Sequence, residues 1–221
     1  MLPRILEPEW MDDPVEAEAY DNMDHSRVNR QFVADLLDGG VIGEDILDLG
    51  TGTAQIPVLL CESAPDIRIM ALDAAVSMLE LARYNLELAS VTEQIQLMQG
   101  DAKCLDDFED EMFDSVISNS LIHHVPEPLI VFCESHRLVN PGGRVFLRDL
   151  MRPDTEPEVA RLVGLYAGDE DDTAQQLFRQ SLHAALTLDE VRDLVRQAGM
   201  NPDDALATTD RHWTLDTRKK G

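Results

Sequence analysis

Ile46-Leu47-Asp48-Leu49-Gly50-Thr51-Gly52-Thr53-Ala54 is an apolar run that breaks into a glycine turn and opens a helix. In a doubly wound parallel sheet such a turn lies at the carboxyl ends of the strands, where ligands bind. Gly50 and Gly52 allow a sharp bend and a close approach to the main chain. The free N–H groups at the start of the following helix can hold a carboxylate.

Outward from that stretch, short apolar runs alternate with amphipathic segments, the mark of parallel βαβ units. Strands are expected at 45–49, 67–72, 95–99, 115–118 and 144–150. Helices are expected at 53–63, 75–89 and from the prolines at 126 and 128 to about 139. Asn140-Pro141-Gly142-Gly143 reads as the stop before strand five. Upstream, 12–22 and 25–38 read as two helices, the second with Val28, Phe32, Val33, Leu36 and Leu37 at helical spacing. Downstream, 154–185 interrupts the alternation with acidic helical sequence. Thr187 and Glu190 form a capping-box pair for a helix that Gly199 ends. Residues 204–209 and 211–217 read as a closing hairpin. The expected fold is α/β, a Rossmann-like doubly wound sheet, mostly parallel with a C-terminal antiparallel hairpin. One domain over 1–221 is expected: cap helices in 1–40, a core in 44–150, a helical insert at 154–185, and a closing helix and hairpin at 187–217.

Composition narrows the partners. The net charge is −25, from 43 acidic and 18 basic residues. Such a surface repels phosphate backbones and anionic membranes, so neither nucleic acid nor a membrane is an expected partner. The N-terminus lacks an apolar run of signal-peptide length, and no segment approaches the ~20 apolar residues of a span. A cytoplasmic location is therefore expected. Cys61, Cys104 and Cys133 are scattered, with no paired or clustered spacing, and read as reduced, mostly buried thiols. No metal-ligand spacing stands out, and no metal is expected.

The glycine turn does not fit a dinucleotide. That fingerprint is G-x-G-x-x-G, and its third glycine falls on Gln55. Strand two ends in Asp73, where a carboxylate at the strand tip can accept from both ribose hydroxyls. Asp73 could equally cap the next helix. After strand three, Gln99-Gly100-Asp101-Ala102 puts an acid where it can accept from an adenine amino group, or where it is a simple turn residue. Two further blocks follow, Phe113 to Val125, which includes Asn119, His123 and His124, and Leu138 to Val145.

These five blocks, in order and spacing, resemble the class I methyltransferases that use S-adenosyl-L-methionine (SAM), over roughly residues 44–150. The nearest likeness is to the small-molecule group that includes the ubiquinone and menaquinone C-methyltransferases. Their D-x-G-x-G-x-G pattern is matched at Asp48, Gly50 and Gly52, with Ala54 in the last place. Tyr20-Asp21-Asn22-Met23 resembles the Y-D-x-M stretch of that group. The resemblance implies that Gly50, Thr51 and Gly52 contact the methionyl end of SAM, that Asp48 is among the cofactor-binding residues and that Asp73 holds the ribose. Asp101 and Ala102 would face the adenine, with Ala74 or Met78 packing near it and Asn119 at the tip of strand four.

Transfer of a methyl from a sulfonium is an in-line displacement in which positioning supplies much of the rate. A base is required only when the acceptor must lose a proton. His123, His124 and Tyr20 are the candidates, with His25 and Arg30 behind them. The plainer reading has one histidine against the sheet edge and the other capping the next helix. Of Arg148 and Asp149, one would face the acceptor and the other form a structural ion pair. The stretch Ser118-Asn119-Ser120-Leu121 lacks the N/D-P-P-Y/F of adenine- and glutamine-N-methylating enzymes. No Asp/Asn cluster suggests a metal-dependent catechol-type enzyme, and the cysteines are not arranged as arsenite methylation needs. A small-molecule acceptor, and a monomer or homodimer, are expected. The competing readings are an NAD(P)-linked oxidoreductase and a non-catalytic SAM-binding module.

Overall fold

The computed structural model of the chain describes residues 2–7, 12, 14–21 and 25–221, and of residues 15, 16, 19 and 20 the backbone alone. In chain order the elements are α1 (Pro14–Asp21), α2 (Ser26–Asp38), β1 (Asp45–Leu49), α3 (Gln55–Ser63), β2 (Arg68–Asp73), α4 (Val76–Ala89), β3 (Ile95–Gln99) and β4 (Phe113–Asn119). A 3-10 turn, Ile122–His124, follows. Then come α5 (Leu129–Leu138), β5 (Val139–Leu150), α6 (Glu156–Tyr166), α7 (Asp172–Ala184), α8 (Leu188–Gln197), β6 (Ala205–Ala207) and β7 (His212–Arg218). The strands form a seven-stranded sheet in the order β3-β2-β1-β4-β5-β7-β6. The pairs from β3 through to β5 are parallel, and β5–β7 and β7–β6 are antiparallel. This is the expected Rossmann-like arrangement. Chain order reverses between β1 and β4, so the ligand crevice belongs at their carboxyl ends.

Alternation along the strands builds a core on each face. Ile46, Ile69, Ile117 and Phe146 join Phe32, Leu36, Leu60 and Leu86 from α2, α3 and α4. Leu47, Val116, Val145 and Leu147 join Phe132, Val191, Val195 and Trp213 on the other side, under α5 and α8. Phe32 meets Phe146 edge-on at 5.0 Å, and Phe132 stacks on Trp213 at 6.1 Å.

Several boundaries differ from the sequence reading, each for a local reason. The Asn140–Gly143 stretch does not precede β5 but lies within it. Val139 pairs with Phe113, the ladder slips, and pairing resumes at Arg144 opposite Ser115. Helix α3 starts at Gln55 rather than 53 because Ala54 adopts a left-handed conformation, φ 60°. The thiols are not mostly buried: Cys61 is, but Cys104 and Cys133 are exposed. Asn22 and Met23 lie outside the described residues. The capping box at Thr187 and Glu190 is present, and Gly199 follows α8 at φ 80°.

Two arginines on β5 fasten α2 to the sheet. Arg144 is fully buried, forks onto both carboxylate oxygens of Asp216 at 2.6 and 2.8 Å, and also donates to the Leu36 carbonyl. Gly39 ends α2 there, and a Cβ on it would stand 2.0 Å from the Arg144 guanidinium. Arg148 donates to Asp35 at 2.6 Å and to the Thr214 hydroxyl at 2.9 Å. Removing Arg144 leaves the Leu36 carbonyl without its buried donor and opens a cavity, while Asp216, 40% exposed, is rehydrated. Arg144→Ala is expected to lower unfolding stability by about 3 kcal/mol in urea titration. A loss near zero would show that the fork does not hold α2.

Candidate active site at the carboxyl edge of the sheet

The turn after β1 hangs on the tip of β2. The N–H groups of Gly50 and Thr51 both donate to the Leu72 carbonyl at 2.9 Å. The Gly52 N–H donates to Asp73 Oδ2 at 2.7 Å, while Oδ1 accepts from the Ala75 N–H at 2.9 Å. Gly50 and Gly52 take φ of 71° and 56°, where a side chain is strained. Among the described residues, no atom beyond the chain neighbours lies within 4 Å of where a Cβ on Gly52 would stand. At Gly50 a Cβ would press on Leu121 instead, 2.9 Å away.

Burial pushes the Asp73 carboxyl up, the backbone donors of Ala75, Gly52 and Ala74 oppose the rise, and Asp12 adds to it. Asp73 does not cap α4. That place goes to Asp12, whose Oδ1 accepts from the Ser77 N–H at 3.1 Å. Asp48 lies buried beneath the turn, and burial pushes its carboxyl up to about 7. The neighbouring Thr51 opposes that rise and Asp73 adds to it. The Thr51 hydroxyl itself is buried and faces Asp48.

The other sequence candidates fall around the same edge. Met78 is buried at the start of α4 against Ala75 and Ala17, so α1 covers this end. Ala74 is half-buried and Ala102 is buried. Asp101 spends Oδ1 on its own turn, accepting from the Lys103 N–H at 2.9 Å, and pairs with Lys103 Nζ at 3.2 Å. Asn119 donates to the Ser120 hydroxyl at 3.2 Å. Gln55, the residue that spoils the dinucleotide pattern, ties the cap together: it donates to Asp21 at 3.1 Å and accepts from Asn29 at 3.0 Å. Arg30 is turned away, donating to Ser26 on its own helix. The side chain of Tyr20 lies outside the described residues. His25 stands at the cap position of α2, without a side-chain cap bond.

His123 packs against the carboxyl end of β5, as the plainer reading expected. It is 4% exposed, with Nδ1 2.6 Å from Asp149 Oδ1 and Nε2 3.3 Å from Glu7 Oε1. Burial opposes charge on the ring, but Asp149 and Glu7 together outweigh it and raise its pKa. Asp149 thus pairs with His123 and Arg148 with Asp35, so both side chains near the carboxyl end of β5 are engaged in ion pairs. His124 is half-buried, and α5 starts without a side-chain cap. Glu7 and Arg4 escaped the sequence reading. They arrive from the far N-terminus, and no local pattern marks them.

Residues 47–147 match the family model described as a methyltransferase domain. The chain carries a methyltransferase domain. Those residues span β1 to β5 and contain the glycine turn, Asp73, Asp101 and His123. The chain is 32% identical to the biotin biosynthesis bifunctional protein BioHC of Teredinibacter turnerae, over 83% of this chain and 32% of that protein. It is also 32% identical to a demethylmenaquinone methyltransferase of Lactococcus lactis, over 65% of this chain and 56% of that one. It therefore spans less than two thirds of the length of either relative. A crystal structure of a putative SAM-dependent methyltransferase from Methanococcus maripaludis superposes with a TM-score of 0.73, covering 98% of both chains at 16% identity, a likeness of fold.

In the methyltransferase domain Asp48 binds a proton more tightly folded than unfolded. Its raised pKa makes stability fall as pH rises from about 4 to about 7, with no further change above. Asp48→Asn should remove that decline. In urea unfolding the variant should gain on the order of 1–3 kcal/mol over the parent between pH 5 and pH 8. Parallel curves would mean the carboxyl is not perturbed.

Proposed function

We propose that this chain methylates a small organic molecule with SAM as donor. The observation that carries the reading is the junction of the β1 turn with Asp73, which sets a carboxylate against the two-glycine bend at the carboxyl edge of the sheet. The described residues fit the donor. A carboxylate carries about four acceptor sites, so Asp73 can accept from ribose hydroxyls beside the amides of Gly52 and Ala75. The absence of described atoms beside Gly52 suits the methionyl end. Ala102 and Met78 supply apolar walls for a base. SAM brings a methyl already activated by its sulfonium, so the protein's part is to align and to exclude water. His123, gripped on both ring nitrogens, orients the tip of β4 rather than serving as a free base.

A small acceptor is supported by the relative named for demethylmenaquinone methylation. The cysteines do not suit thiolate chemistry: burial pushes Cys61 up to about 11 and raises Cys133. The insert presents Asp154, Glu156, Glu158, Asp169, Glu170, Asp171 and Asp172 to solvent. A field of that sign disfavours anionic acceptors. Part of the insert's apolar surface is spent on packing, while Leu165, Tyr166 and Leu177 stay exposed. Val159, Leu162, Val163 and Leu182 close over Leu150, with Leu2 and Phe178 against them.

Calorimetry with SAM, S-adenosylhomocysteine and NAD tests the donor. Binding of the first two without NAD is expected, and Asp73→Ala should weaken SAM by about 1–3 kcal/mol. Tight NAD binding alone would make the oxidoreductase reading the better one. Mass-spectrometric turnover of an acceptor panel tests the charge preference. Neutral or cationic molecules should be methylated ahead of anionic analogues, and the reverse order would remove the proposed role of the acidic insert.

A further inference from the structure

The N-terminal strap, residues 2–7, crosses the chain beyond β4 and is held there firmly. Arg4 Nε donates to the Ala184 carbonyl at 2.7 Å, and its Nη2 to the carbonyls of Val125 and His123 at 2.9 and 3.2 Å. The Ile5 N–H donates to the His183 carbonyl at 3.1 Å. This delivers Glu7 onto two consecutive histidines. Glu7 Oε1 lies 3.3 Å from His123 Nε2 and 3.1 Å from His124 Nδ1, with one ligand-type atom of each of the three residues within 4.8 Å of the others.

Between Glu7 and His123 the hydrogen bonding closes only with a proton or a metal ion on the line between the two atoms. Asp149 accepts from the N–H groups of His123 and Leu150 at 2.9 and 2.6 Å, and it faces His123 Nδ1 at 2.6 Å. A carboxylate so placed fixes the ring proton on Nδ1. Nε2 then turns a lone pair toward a carboxylate oxygen, and two acceptors repel unless a cation stands between them. Either a second proton or a metal ion does so. The two spacings from Glu7, 3.3 and 3.1 Å, are near those of a metal site: a tetrahedron with bonds of about 2.0–2.1 Å has edges of roughly 3.3–3.4 Å. A His/His/Glu set is the donor chemistry of a borderline transition ion rather than of magnesium or calcium. Asp149 behind His123 is the usual carboxylate that orients and strengthens a ligating imidazole. Arg4 is the nearby opposing charge, and Asp149 and Glu7 outnumber it.

We infer that Glu7, His123 and His124 form a binding site for one divalent transition-metal ion, with Asp149 positioning His123. The ion would stitch the strap to the tip of β4 and leave a fourth position for water or another ligand. The inference does not depend on methyl transfer.

The test uses full-length, tag-free protein stripped with chelator, then dialysed against Zn2+ and assayed for metal by mass spectrometry. One equivalent per chain is expected. Glu7→Gln and His124→Ala, which alter a strap residue and a half-buried ring rather than the core, should each weaken Zn2+ by at least tenfold. Co2+ substitution in the unaltered protein decides without any variant: an intense tetrahedral visible band supports the site, and a weak octahedral one overturns it. Failure to retain stoichiometric Zn2+, or equal retention by either folded variant, would also overturn it and leave a doubly protonated His123 as the cation between the carboxylates.

Discussion

The hydrogen bond from the Gly52 N–H to Asp73, 2.7 Å long, is the joint on which the site depends. It sets the distance between the loop after β1 and the tip of β2. With two more amides of that loop on the Leu72 carbonyl, the turn cannot swing away from its neighbour strand. The same joint explains the residue types. A side chain at position 52 would force the left-handed backbone at a cost, and an apolar residue at 73 would leave the Gly52 and Ala75 amides without their acceptor. Ala54, also left-handed at φ 60°, shows that the turn accepts a small penalty where a glycine would relieve it.

Around that joint the chain folds back on itself from both ends. Arg144 and Arg148 pull α2 against β5, and Asp21, Gln55 and Asn29 lock the cap helices to the start of α3. The strap carrying Arg4 and Glu7 then closes over the far side of the same edge. Each fastening uses a charged or amide side chain at a place where the apolar pattern alone would allow slippage. Polar groups that are costly to bury and fully satisfied specify one arrangement.

Much of this was legible in the residues because it rests on local periodicity. β1 and β3 begin and end where their apolar runs do, and the α8 capping box is visible as Thr187 and Glu190. Asp73 beside the glycine turn followed from the spacing of two strands. What local pattern could not reveal were contacts between distant segments. Arg144 looked like the first residue of a strand and is instead a buried fork bound 72 positions away. His123 looked like a candidate base, and its partners come from β5 and from the strap, 26 and 116 positions distant. The slip inside β5 is likewise set by its partner strand, so the Asn-Pro-Gly-Gly run read as an ordinary stop.

The central claim is that the β1 turn and the tips of β2 and β3 together enclose one nucleoside. The most direct measurement is an amide-resolved NMR titration of the whole chain with S-adenosylhomocysteine. The account predicts saturable shifts centred on the N–H groups of Thr51, Gly52, Ala74 and Ala102, with one common affinity. Shifts confined to another part of the molecule, or none at all, would contradict it.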